Sequence, residues 1–116
     1  MTLRDQLTDH SRTFLIVSVN NALATKIADP FCFEWLAVGG YNVSGSALGL
    51  PDVGLLTLSV QVEAVRRISA VAEAPIIADG DDGYGNYLNV MRLVREMERA
   101  GANATRVGWL QAQIGW

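Results

Sequence analysis

Pro75-Ile76-Ile77-Ala78-Asp79-Gly80-Asp81-Asp82-Gly83-Tyr84-Gly85-Asn86 is a short apolar run that passes directly into an acidic, glycine-rich loop and then into a helix start. Pro75 to Ala78 has the length and composition of a buried strand. Asn86 stands where an N-cap belongs. In the helix that follows, Val90, Leu93, Val94 and Met97 recur at helical spacing and predict a buried stripe. Arg92 and Glu96 are spaced to pair at i,i+4, and Gly101 ends the helix.

The same alternation extends in both directions. Thr2-Leu3-Arg4-Asp5 has the form of a helix start. Phe14 to Val19 is an unbroken apolar run, suited to a strand covered on both faces. Ala22 to Ala28 is helix-friendly and stops at Asp29-Pro30, because proline disfavours helical geometry in the residue before it. Trp35 to Val38 reads as a second strand ending in Gly39-Gly40. A Gly- and Ser-rich loop is expected from Asn42 to Gly54, after which Thr57 or Ser59 caps a helix with Val60, Ala64, Val65, Ile68 and Ala72 on one face. Ala104 to Val107 is a fourth strand. Strands alternating with helices predict an α/β fold of about four βα units on a parallel sheet. Ligands of such folds sit at the carboxyl ends of the strands. Ser18 to Asn21, Gly39 to Asn42 and Asp79 to Gly85 all fall there.

Half of the 116 residues are apolar, enough for a core, with no repeat or linker to divide the chain. A net charge of −3, with nine Lys and Arg spread along the chain, argues against a nucleic-acid partner. No apolar run is long enough to span a bilayer. The polar start and the single cysteine, Cys32, fit the cytoplasm, and Cys32 itself reads as a small buried hydrophobe.

Asp79 and Asp81, two residues apart, with Asp82 and three glycines around them, concentrate hard oxygen ligands on a pliable backbone. Mg²⁺ prefers one or two carboxylates and completes its shell with water and substrate oxygens. Asp and Gly are also ordinary turn residues, so spacing alone leaves a metal loop and a solvated turn both open. Two rival motifs fail. An EF-hand needs Asp or Asn where Gly83 stands and Glu where Val90 stands, and a dinucleotide fingerprint needs a third glycine after Gly83-Tyr84-Gly85. Asn42-Val43-Ser44 and Asn103-Ala104-Thr105 match the glycosylation triplet by chance in a chain read as cytoplasmic.

Gly49-Leu50-Pro51-Asp52, Pro75 to Asn86, and Asn89-Val90 through Glu98-Arg99-Ala100-Gly101 together resemble successive blocks of the isocitrate lyase and phosphoenolpyruvate mutase superfamily, over about Asp5 to Val107. The resemblance implies the N-terminal portion of a (β/α)₈ TIM barrel, with residues 1–116 as a single partial barrel domain. It implies a Mg²⁺-dependent lyase or mutase that cleaves or forms a C–C or P–C bond of a small 2-oxo or dicarboxylic acid through a pyruvate-enolate-like intermediate. Asp79 then corresponds to the carboxylate that contacts Mg²⁺, and Asp81 to a second acidic support. Asp52 corresponds to the acid of a gating loop close to metal and substrate. Gly39, Gly40 and Tyr41 correspond to the turn whose N–H groups bind the substrate carboxylate.

The chain also departs from that pattern. Gly39 and Tyr41 stand where many lyases have Ser and Gly. Gly108-Trp109 stands where the family has Glu-Asp. The Lys-Arg-Cys-Gly-His segment with the catalytic thiol has no counterpart in Leu110 to Trp116, and Cys32 is not that cysteine. Tyr84-Gly85-Asn86 leans toward the mutase-like branch. A partial barrel exposes strand edges, so self-association into a homo-oligomer is expected. A catalytically inactive remnant that binds metal or carboxylate is the alternative.

Overall fold

The computed structural model describes residues 2–108. The readings placed on Trp109 and on Leu110 to Trp116 lie outside the described residues. The elements run α1 (Leu3–Thr8), β1 (Ile16–Ser18), α2 (Ala22–Ala28), a 3₁₀ turn (Asp29–Phe31), β2 (Trp35–Val38), α3 (Gly40–Val43) continued by a wider helical turn (Ser44–Leu48), α4 (Leu58–Ser69), β3 (Ile76–Asp79), α5 (Tyr87–Ala100) and β4 (Ala104–Arg106). The strands form one sheet in the order β1-β2-β3-β4. Every neighbouring pair is parallel.

Local chemistry sets the helix boundaries. Thr2 and Asp5 close a capping box on α1. Asn21 accepts from Ala24 N–H at the start of α2, Thr57 from Val60 N–H at the start of α4, and Asn86 from Leu88 N–H at the start of α5. Gly101 ends α5 with φ +104°, the left-handed geometry a C-terminal glycine supplies.

Strand register divides the sheet into two faces. Leu36 pairs with Ile76, and Val38 with Ala78. All four are at most 2% exposed, packed with Val62, Val65 and Ile68 of α4 and Leu93, Met97 and Ala100 of α5. Burying side chains of this size contributes roughly 1.5–3 kcal/mol each, more than helix propensity supplies, so this layer holds the helices on the sheet. The alternate residues Ala37, Ile77 and Asp79 are only partly covered. They line an open face, as the inner wall of a barrel arc does. At its amino end Trp35 is covered, and its indole N–H donates to the Gln6 side chain of α1.

Several expectations need correction. The Phe14 to Val19 run yields only a three-residue strand, with Leu15 69% exposed, because β1 is a sheet edge among the described residues and lacks a neighbour on one side. Residues 42–48 are helical rather than loop. Val94 is exposed and Val90 only partly covered, since the core side of α5 runs through Leu93, Met97 and Ala100. Glu96 pairs with Arg99 at 3.6 Å, not with Arg92. Cys32 is exposed, in left-handed geometry (φ +53°) where the 3₁₀ turn after Pro30 ends, so it is not a core residue.

Candidate active site

The carboxyl ends of the strands carry the unusual residues. Asp79 is the last residue of β3, and both of its carboxylate oxygens are held by backbone donors. Oδ2 accepts from Gly40 N–H at 3.1 Å, and Oδ1 from Asp81 N–H at 3.0 Å. Two charge-assisted bonds from separate segments fix the carboxylate's orientation.

The loop after Asp79 is built for that grip. Gly80 N–H donates to Arg106 O at 2.7 Å and Gly83 N–H to Gly80 O at 2.9 Å. A Cβ on Gly80 would lie 2.8 Å from Leu93 Cδ2 and 2.9 Å from Arg106 O, so only glycine lets β3 and α5 approach this closely. Asp81 and Tyr84 both adopt positive φ, +50° and +59°. Such non-glycine geometry costs about 1–3 kcal/mol per residue and concentrates at working sites.

Asp52 reaches the same place from the other side. A Cβ on Gly40 would lie 3.4 Å from Asp79 Oδ2 and 3.8 Å from Asp52 Oδ1, so the two carboxylates are no farther apart than those distances combined. The loop bearing Asp52 is anchored by buried Ser44, whose hydroxyl lies 3.1 Å from Leu50 O and 3.2 Å from Pro51 O.

The electrostatics agree with this convergence. The Asp81 carboxyl is raised above its usual range by burial first, then by Asp82, Asp79 and Asp52. Burial, followed by Asp81, Asp79, Asp82 and Asp52, drives the Tyr84 phenol so far up that it stays protonated. Negative charge is thus crowded here with no side-chain cation among the causes. Among the described residues no group of three or more His, Cys, Asp or Glu could by itself hold a metal ion. The two carboxylates of Asp52 and Asp79 near Gly40 fit Mg²⁺, which takes one or two carboxylates and leaves its other positions to water and substrate.

Gly39 is the residue before α3, Gly40 its first residue, and Tyr41 is 73% exposed beside the open face. Gly40 N–H is engaged by Asp79, so within that turn it supports the acid. Asn42 Nδ2 donates to Ser18 Oγ at 2.6 Å and joins the ends of β1 and β2. A cavity of about 430 Å³ lies alongside, lined in part by Asn20, Tyr41, Asn42 and Pro51.

Gln61 escaped the sequence reading. It is fully buried in α4, and its Nε2 donates to Val38 O at 3.1 Å and Asp79 O at 3.2 Å, clamping the carboxyl ends of β2 and β3. The available signal was a polar residue at helical spacing with Val65 and Ile68, in the middle of the apolar stripe. Tyr84 belongs to the Tyr84-Gly85-Asn86 motif, and its buried hydroxyl oxygen has no hydrogen-bond partner among the described residues.

A parallel βα array with acids gathered at the carboxyl ends of its strands has the architecture of an arc of a (β/α)₈ barrel. The family profile of phosphoenolpyruvate phosphomutase matches residues 3–108, and the chain belongs to that family, within the phosphoenolpyruvate mutase and isocitrate lyase superfamily. It is 46% identical over 111 residues to an oxaloacetate decarboxylase of Pseudomonas paraeruginosa, covering 94% of this chain and 39% of the relative. It is 43% identical over 112 residues to oxaloacetate decarboxylase 1 of Pseudomonas fluorescens, covering 95% of this chain and 39% of that protein. Among solved structures, the phosphoenolpyruvate phosphomutase of Streptomyces platensis subsp. rosaceus superposes with a TM-score of 0.80 at 33% identity, over 90% of this chain and 36% of that one. A phosphonopyruvate hydrolase in complex with oxalate and Mg²⁺ gives 0.80 at 34% identity, over 92% and 38%. The chain therefore spans less than two fifths of the length of these relatives.

Proposed function

We propose that this chain carries the metal- and substrate-binding part of a Mg²⁺-dependent lyase or mutase that cleaves or forms a C–C or P–C bond of a small 2-oxo or dicarboxylic acid, by way of a pyruvate enolate. The supporting observation is the meeting of Asp52 and Asp79 over Gly40. In this reading residues 1–116 are one partial barrel unit. Asp79 contacts Mg²⁺ and Asp81 supports it from the next turn. When bound, Mg²⁺ supplies electrostatic stabilisation to negative charge developing on the substrate oxygen. Asp52 adds a carboxylate from a loop tied down at Ser44, positioned to close over the substrate and exclude water. Gly39, Gly40 and Tyr41 border the place where the substrate carboxylate sits. The relatives support the substrate class: one set is named for oxaloacetate decarboxylation, and a phosphonopyruvate hydrolase is seen with oxalate and Mg²⁺.

The test is pyruvate release from oxaloacetate and phosphonopyruvate, with and without Mg²⁺, for the native chain and Asp79→Asn. Mg²⁺-dependent release that the variant loses supports the proposal. Folded protein inactive on both substrates speaks against it.

A second reading, a self-associating module that binds metal or carboxylate without turnover, is favoured by the exposed apolar residues Leu23, Ile27 and Phe31 beside the β1 edge. Calorimetric binding of oxalate and Mg²⁺ by an inactive oligomer is its signature, and a monomer by light scattering rejects the self-association. No helix among the described residues is long and apolar enough to cross a membrane.

A further inference from the structure

Among the described residues, the open face carries a basic residue whose strand register ties it to the acids. Arg106, the last residue of β4, is the direct register partner of Asp79. Register partners on adjacent strands stand about 4.8 Å apart and project to the same side. The neighbouring residue confirms the orientation. Thr105 Cγ2 lies against Gly80, together with Leu93 of α5, so Thr105 faces the helices and Arg106 the opposite side. Its backbone is pinned: Arg106 O accepts from Gly80 N–H at 2.7 Å, and two residues on Gly108 N–H donates to Asp81 O at 2.8 Å. The side chain is exposed, and among the described residues every ion pair involves other groups. The Arg106 side chain thus leaves the sheet one strand from Asp79, on the same face, with no ion pair to it.

We infer that Arg106 is a specificity-determining residue of this site, receiving the second anionic group, a carboxylate or phosphonate, of a doubly charged 2-oxo acid. This rests on the function proposed above and adds a ligand-binding residue to it. In the proposed pose, a 2-oxo acid bound at Asp79 directs its third carbon toward β4, the strand that carries Arg106. A substituent there meets β4. A guanidinium is permanently charged and presents paired N–H donors matched to carboxylate or phosphonate oxygens. Pyruvate, which ends in a methyl group, leaves Arg106 unused.

The experiment compares binding of pyruvate and of 3,3-difluorooxaloacetate by calorimetry at fixed Mg²⁺, for the native chain, Arg106→Gln and Arg106→Lys. Because the side chain is exposed, both variants should fold, as thermal melting will verify. The native chain is expected to prefer the dicarboxylate. Arg106→Gln should reduce that preference about tenfold, equivalent to about 1.4 kcal/mol, while pyruvate affinity stays within about twofold. Arg106→Lys should retain part of it, since the charge remains and the paired geometry is lost. Equal losses for both ligands, or no loss for either, would overturn the assignment. A native chain that binds pyruvate with no dicarboxylate preference would overturn the role of Arg106 alone, whereas one that binds neither would overturn the proposed function as well.

Discussion

Gly40 donates its backbone N–H to Asp79 Oδ2 across 3.1 Å, joining the first residue of α3 to the last residue of β3. The two are 39 positions apart in the chain, and the bond places glycine's missing side chain where Asp79 and Asp52 face each other. Under the proposed function, a divalent cation and its water would occupy that space.

Gly40→Ala tests it with one methyl group. The new Cβ would sit 3.4 Å from Asp79 Oδ2, an ordinary contact, and alanine suits a helical position, so the melting temperature should hold within a few degrees. Mg²⁺ affinity, read by calorimetry with oxalate present, should fall at least about tenfold. Unchanged affinity would mean that the two carboxylates do not share an ion.

Asp81 makes stability depend on pH in a defined direction. Its folded-state pKa is raised, by burial first and then by Asp82, Asp79 and Asp52. The folded chain therefore holds this proton more tightly than the unfolded chain. The resulting stabilisation is complete below the ordinary Asp value of about 3.9 and is lost as pH rises through the raised value. Asp81→Asn should melt higher than the native chain at pH 7, with the gap shrinking toward pH 3. Asparagine tolerates the φ of +50° at this position, so any pH-independent offset belongs to the backbone. Mg²⁺ should narrow the neutral-pH gap by stabilising the native chain more. A gap that stays constant from pH 3 to pH 7 would remove the crowded-carboxylate explanation.

Gln61→Leu should be costly despite inserting an apolar residue into a core. It deprives Val38 O and Asp79 O of their shared donor. Each buried carbonyl left unpaired costs about 1–3 kcal/mol. Urea unfolding should show a loss in that range or above, and oxalate binding should weaken along with it, because Asp79 is displaced. A stability gain, as leucine in an apolar stripe would suggest, would show that the clamp is dispensable.

Ser44→Ala separates loop anchoring from folding. The hydroxyl serves the Leu50 and Pro51 carbonyls just ahead of Asp52, outside the central apolar cluster. A lost hydrogen bond of about 0.5–1.5 kcal/mol corresponds to a roughly two- to twelvefold weaker Mg²⁺-dependent oxalate affinity if it holds Asp52 in place. Amide exchange in residues 50–54 should quicken in parallel. Faster exchange with unaltered affinity would detach the Asp52 loop from the site.

Periodicity and capping chemistry were sufficient for α2 and for the start of α5 and its glycine stop, since an N-cap and an apolar repeat are properties of adjacent residues. Four parallel strands followed from the alternation of short apolar runs with amphipathic helices. The acids could be named because Asp79, Asp81 and Asp52 lie where strands and loops end, and because the blocks around them resemble those of a known superfamily. Other features were not readable locally. Whether the Phe14 to Val19 run is covered on two faces depends on a neighbouring strand. The side of α5 that meets the core depends on the sheet, which is why Val94 turns outward while Ala100 is buried. Gln61 acquires its role only where two strand ends leave carbonyls within reach of one side chain. The approach of Asp52 to Asp79, and the register that sets Arg106 beside Asp79, exist only once the strands pair. Local bonding chooses the elements, but the distance between groups far apart in sequence is fixed by packing and strand pairing in the folded chain.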